Sequence, residues 1–157
     1  MTSASIWVSL LFAATALALI FIRPREASRL LPFGIVGGAL VYYLVSLAAV
    51  PLLRLWSFAP GVTKLTGIPL SSVLACIPAA MLFQKYIEGA RDRLAQVAVV
   101  AAGTLAFTLL DWSALRLSAL QYDHWSLMST VGLSGLVLSA LAYYVDETRI
   151  LDADTSD

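Results

Sequence analysis

Residues 94–120 read LAQVAVVAAGTLAFTLLDWSALRLSAL, and in that whole run only Asp111 and Arg116 carry a charge. From Val97 to Leu110 no side chain is ionisable, and apolar residues occupy every face of a 3.6-residue helix. A helix that is apolar all round is surrounded by other apolar material. Crossing the hydrocarbon of a bilayer takes about 20 such residues, which this stretch supplies. Four similar stretches flank it, at 5–22, 30–53, 68–83 and 127–145. Charged residues make up 13% of the 157 positions, against about a quarter in soluble domains. With 60% hydrophobic residues, the chain reads as an all-α, polytopic transmembrane helix bundle of about five spans. Residues 1–145 form one helical domain, followed by a short acidic cytoplasmic tail, 146–157.

The first stretch lacks a basic leader and runs into Arg23, Pro24 and Arg25 rather than a small-residue cleavage site, so it is read as a retained span. Basic loops stay in the cytoplasm, which sets the orientation. Arg23, Arg25, Arg29, Lys85, Arg91, Arg93 and Arg149 fall on one side, against Arg54, Lys64 and Arg116 on the other. The N-terminus is therefore expected outside and the C-terminus inside, in the cell membrane. The competing arrangement has four spans, with the short third stretch and its Pro69 and Pro78 dipping in and out. In the five-span reading Trp7, Trp56 and Trp125 meet the outer boundary, where tryptophan is favoured, and Trp112 lies in the outer half of span four.

Small residues let helix backbones approach in lipid. Gly34-x-x-x-Gly38 with Tyr42 on span two, Ser71, Ala75 and Ala79 on span three, and Gly135 and Ser139 on span five offer such faces. The glycine pair is expected to serve an internal crossing rather than a homodimer contact. No internal repeat is visible between the two halves. The single cysteine, Cys76, sits in an apolar stretch and is read as a small core residue.

Charge in the bilayer costs about 2.5–3.5 kcal/mol on insertion scales, so Asp111 needs a partner, a proton or a purpose. Steps of three and four residues line up Thr104, Thr108, Asp111, Leu115, Ser118 and Tyr122 as a polar stripe pointing into the bundle. Arg116 is about 140° away from Asp111 around the helix, a poor position for a direct pair. Gln121, Tyr122, Asp123, His124 and Trp125 follow in a short outer loop. A lone histidine makes no multi-histidine metal site, and Asp123, His124 and Ser126 are too crowded in sequence to assemble a catalytic triad. Phosphate loops, HExxH and CxxC are missing from the sequence, and the scattered bases give no footprint for nucleic acid.

The run Asp111-Trp112, then Arg116, then Tyr122 and Trp125 before the last span resembles a family of small multi-spanning membrane proteins known mainly from spore-forming bacteria. In that pattern an acid followed by tryptophan closes the penultimate helix, and aromatic residues precede the final one. The similarity covers residues 69–144, with Asp111 in place of glutamate and His124 in place of a turn glycine. It implies a membrane location and no particular activity.

The residues thus point first to a non-enzymatic binding or accessory protein. Its outer-leaflet pocket would be lined by Asp111, Trp112, Arg116, Tyr122, His124 and Trp125, for a lipid, an isoprenoid or a partner's helix. The alternatives are a small proton-coupled transporter using Asp111 and a membrane enzyme acting on a lipid-soluble substrate with Asp111 or Asp123. No catalytic residue, metal ligand or cofactor is assigned.

Overall fold

The computed structural model describes residues 3–59 and 64–154, with side chains for 5–59 and 64–148. Five helices dominate it: α1 (Ser3–Phe21), α2 (Pro24–Leu52), α3 (Leu70–Gly89), α4 (Arg93–Arg116) and α5 (Leu127–Asp154). Among the described residues, α2, α3, α4 and the Leu127–Thr148 part of α5 are each long and apolar enough to cross a membrane, while Ser5–Phe21 is a shorter apolar helix. Many outward side chains are large and apolar, among them Leu19 (77% exposed), Leu94 and Met128 (both 80%). Water is a poor solvent for such a surface, and lipid a good one.

Each turn has a local cause. Pro24 starts α2, and the Arg23 backbone N–H donates to Glu26 Oε2 at 3.3 Å. Asp92 caps α4 by accepting the Ala95 N–H at 2.7 Å, and Ser126 Oγ caps α5 by accepting the Ser129 N–H at 3.1 Å. Two π-helical segments, Gly34–Leu40 and Ala48–Leu52, interrupt α2. They follow Pro32 and contain Pro51, whose missing N–H groups disturb the regular ladder.

All five helices run between the same two ends of the bundle. At one end, Trp7 of α1 packs edge-on against Phe58 at 5.4 Å, beside Ala114, Ala119 and Leu120. At the other, Lys85 Nζ at the end of α3 donates to Phe21 O at 2.8 Å and pairs with Glu26, while Arg29 pairs with Glu88. Arg149, counted on that side, lies outside the described side chains. The helix α5 continues through Asp154, and Asp146 accepts a bond from Gln96 at 3.2 Å.

The third stretch is one continuous helix through Pro78, longer than the sequence suggested, and not a pair of half-helices. It is the hub of the bundle and packs against every other helix. The glycines of α2 face it, since a Cβ on Gly38 would stand 2.3 Å from Cys76 O and one on Gly34 would stand 2.9 Å from Ile77 O. Thus α1, α2 and α3 form one unit and α4 and α5 a second. Phe83 and Ile87 of α3 meet Leu138 and Val145 of α5 towards the arginine-rich end, joining the two units there.

At the tryptophan-rich end they are joined by a ribbon. Strand β1 (Trp56–Phe58), just after α2, pairs antiparallel with β4 (Leu120–Tyr122), just after α4. Between them in sequence, β2 (Lys64–Leu65) and β3 (Ile68–Pro69) form a tight hairpin through Thr66 (φ +52°) and Gly67 (φ +89°). The sequence-expected end of span four at residue 120 is corrected by the ribbon. The helix stops at Arg116, Ser118 takes the left-handed conformation (φ +55°), and the Ala119 N–H bonds back to Ala114 O at 2.9 Å.

Candidate functional site

The second unit leans away from the first between its two points of attachment and leaves a cleft of about 970 Å³. Leu10, Ala14 and Leu17 of α1, Tyr42 of α2 and Ala79 of α3 form one wall. Ala106 and Leu110 of α4 and Leu133 and Val137 of α5 form the other. Trp56, Phe58, Leu120 and Trp125 roof it at the ribbon end. The walls are overwhelmingly apolar, and Asp111 is the one carboxylate among the described lining residues.

Four side chains converge where the roof meets α4. The Tyr122 hydroxyl donates to Asp111 Oδ2 at 2.9 Å. Thr130 Oγ1 lies 2.8 Å from the Tyr122 hydroxyl and 3.2 Å from the same carboxylate oxygen, and accepts the Trp125 indole N–H at 2.9 Å. The Trp125 ring meets Trp56 edge-on at 5.2 Å, closing the corner from above. Burial pushes the Tyr122 phenol above its ordinary ionisation range; the Thr130 bond opposes that shift and the nearby Asp111 charge adds to it. The phenol is therefore held as a neutral donor.

Folding brings Tyr122 here by a route that helical stepping does not describe. Tyr122 is on β4, where its pairing with Trp56 fixes its height and the pleat turns it towards α4. Thr130 comes from one turn inside α5, four residues after the Ser126 cap. The sequence reading missed it. Its signal was modest: a hydroxyl residue just inside an apolar helix, one turn beyond its start.

Three of the six residues expected at the site, Asp111, Tyr122 and Trp125, meet in this corner. Trp112 and Arg116 do not. Trp112 is 46% exposed on the outer face of α4, where the Arg116 guanidinium lies 5.4 Å from its ring centre in a cation–π contact. The side chains of His124 and Asp123 are exposed, and their backbone N–H groups clamp the loop to Leu55 O at 3.0 and 2.9 Å. Ser126 is occupied as a helix cap. Among the described residues no group of histidine, cysteine and carboxylate side chains is placed to hold a metal ion.

The chain matches no family model, and no curated protein or solved structure is significantly similar to it.

Proposed function

We propose that this is a five-span protein of the cell membrane, N-terminus outside and C-terminus inside, that binds an amphiphile non-enzymatically. The apolar tail, of lipid or isoprenoid type, occupies the cleft between the two helical units, and the head reaches the corner formed by Asp111, Tyr122, Thr130 and Trp125. One observation carries this reading: a largely apolar cleft at the upper end of the usual ligand-pocket range, whose one described carboxylate, Asp111, stands at its ribbon end beside a connected polar set. That polarity pattern matches a molecule with a long tail and a small head. The orientation rests on the six described basic residues at one end of the bundle and the tryptophans at the other.

A proton-coupled carrier using Asp111 would require a second relay group further along the cleft, and the described walls contain no further carboxylate. The reading is tested by native mass spectrometry of protein extracted gently from its membrane. A defined adduct is expected on the wild type and is lost in Ala106→Phe, which places a ring in the cleft from an exposed, lining position. A wild-type protein that carries no adduct and gains none from added lipid extract would overturn it.

A further inference from the structure

Resting on the cleft reading above, the polar corner specifies which chemical class of head group it accepts. The corner holds three donors: the Tyr122 and Thr130 hydroxyls and the Trp125 indole N–H. The indole N–H is directed at Thr130 Oγ1, and both hydroxyls are directed at Asp111 Oδ2 or at each other. Each of these three donors therefore has an acceptor already within the protein. Asp111 Oδ1 receives no hydrogen bond from a described residue, and it is not a sealed atom, since Asp111 borders the cleft. The missing complement is a donor.

The surrounding charges point the same way. No lysine, arginine or histidine lines the cleft among its described residues. Two bases near this end of the bundle are engaged elsewhere: Arg116 lies over Trp112 on the outer face of α4, and Lys64 Nζ donates to Phe58 O at 2.8 Å. A phosphate or carboxylate head would have to bury its own negative charge in a low-dielectric corner with no described cation lining the cleft to offset it.

We infer that the ligand is a long-chain amphiphile whose head is a hydrogen-bond donor without negative charge, a hydroxyl or an amine, received by Asp111 Oδ1. A hydroxyl donates one bond to that oxygen, and a protonated amine adds charge to the same geometry.

The test is a head-group panel on one tail length. A long-chain alcohol, amine, alkyl phosphate and fatty acid are each titrated into the wild-type protein in a neutral detergent, with Trp fluorescence and thermal unfolding as readouts. Tighter binding of the alcohol or amine than of either anion, by on the order of ten-fold or more, is the expected result. Asp111→Asn should weaken the amine by a similar factor and the alcohol by much less. Anions that bind as well as the alcohol and the amine overturn the head-group assignment and leave the cleft reading standing. A panel in which nothing binds removes the cleft reading itself. The wild-type comparison decides the matter even where Asp111→Asn fails to fold.

Discussion

The Tyr122 hydroxyl donates to Asp111 Oδ2 at 2.9 Å across a change of secondary structure, from a strand of the ribbon to a turn of helix. Thr130 bridges the two and also holds the Trp125 indole, so the four side chains form a connected set. Losses within such a set depend on which group is left without a partner.

Thr130→Val keeps the shape of the side chain and leaves the part-buried Trp125 N–H without an acceptor. Destabilisation of about 1–3 kcal/mol is expected, read by thermal or denaturant unfolding in detergent. Tyr122→Phe removes a single hydroxyl and should cost about 1 kcal/mol. An equal or larger loss for Tyr122→Phe would show that Thr130 is not the centre of the set.

Tyr122 also predicts an alkaline response. Its phenol is raised above the ordinary value of 10.0, so the folded protein holds that proton more tightly than the unfolded chain. This contribution is complete below that value and is lost as pH rises beyond it. Unfolding titrations of the wild type should steepen above pH 10.0, and those of Tyr122→Phe should be flatter there.

Two glycines give opposite expectations. A Cβ at Gly38 would enter the space of Cys76 O and of the Ala80 methyl, 2.3 and 2.8 Å away. Gly38→Ala should therefore force α2 off α3 and destabilise the bundle by about 1–3 kcal/mol. Gly132 has nothing within 4 Å, and Gly132→Ala should be neutral or stabilise by roughly 0.5–1 kcal/mol through helix propensity. Comparable effects at the two sites would contradict the packing of α2 on α3.

Ser118 adopts φ +55° where the chain leaves α4. Ser118→Gly should raise stability by about 1 kcal/mol, the left-handed penalty of an L-residue, with the ribbon intact. Ser118→Val should lower it, and both are read from the unfolding midpoint.

Cys76 is buried against the α2 glycines, so maleimide should label it only after unfolding. In a Cys76→Ala background, single cysteines at Thr66 and at Arg91 should be labelled from opposite sides of sealed vesicles. Labelling from the same side would refute the five-span arrangement.

The helices, and an internal crossing at the α2 glycines, were legible because both depend on local pattern, run length for the first and glycine spacing for the second, whereas the identity of the partner helix, α3, was not. The ribbon was not legible. Its partners, Trp56–Phe58 and Leu120–Tyr122, are far apart in sequence, and three-residue strands leave no periodicity to detect. The hairpin at Thr66-Gly67 was also hidden, because threonine is an unusual first residue for such a turn. Stepping along an imagined longer helix put Tyr122 on the same face as Asp111 but about three turns away, and the strand of the ribbon is what brings the two into contact. Trp112 could have been separated from Asp111 beforehand, since neighbours on a helix point about 100° apart.

The ribbon has a consequence for biogenesis. Strand β1 leaves the ribosome long before β4, and Tyr122, Trp125 and Thr130 all follow α4. The first three helices can pack around their glycine contacts while the nascent chain is still growing, since domains assemble in order of synthesis. The roof and the polar corner cannot close until the last hairpin has entered the bilayer beside them. A chain cut short before Leu120 would therefore be a packed bundle without its roof or its polar corner.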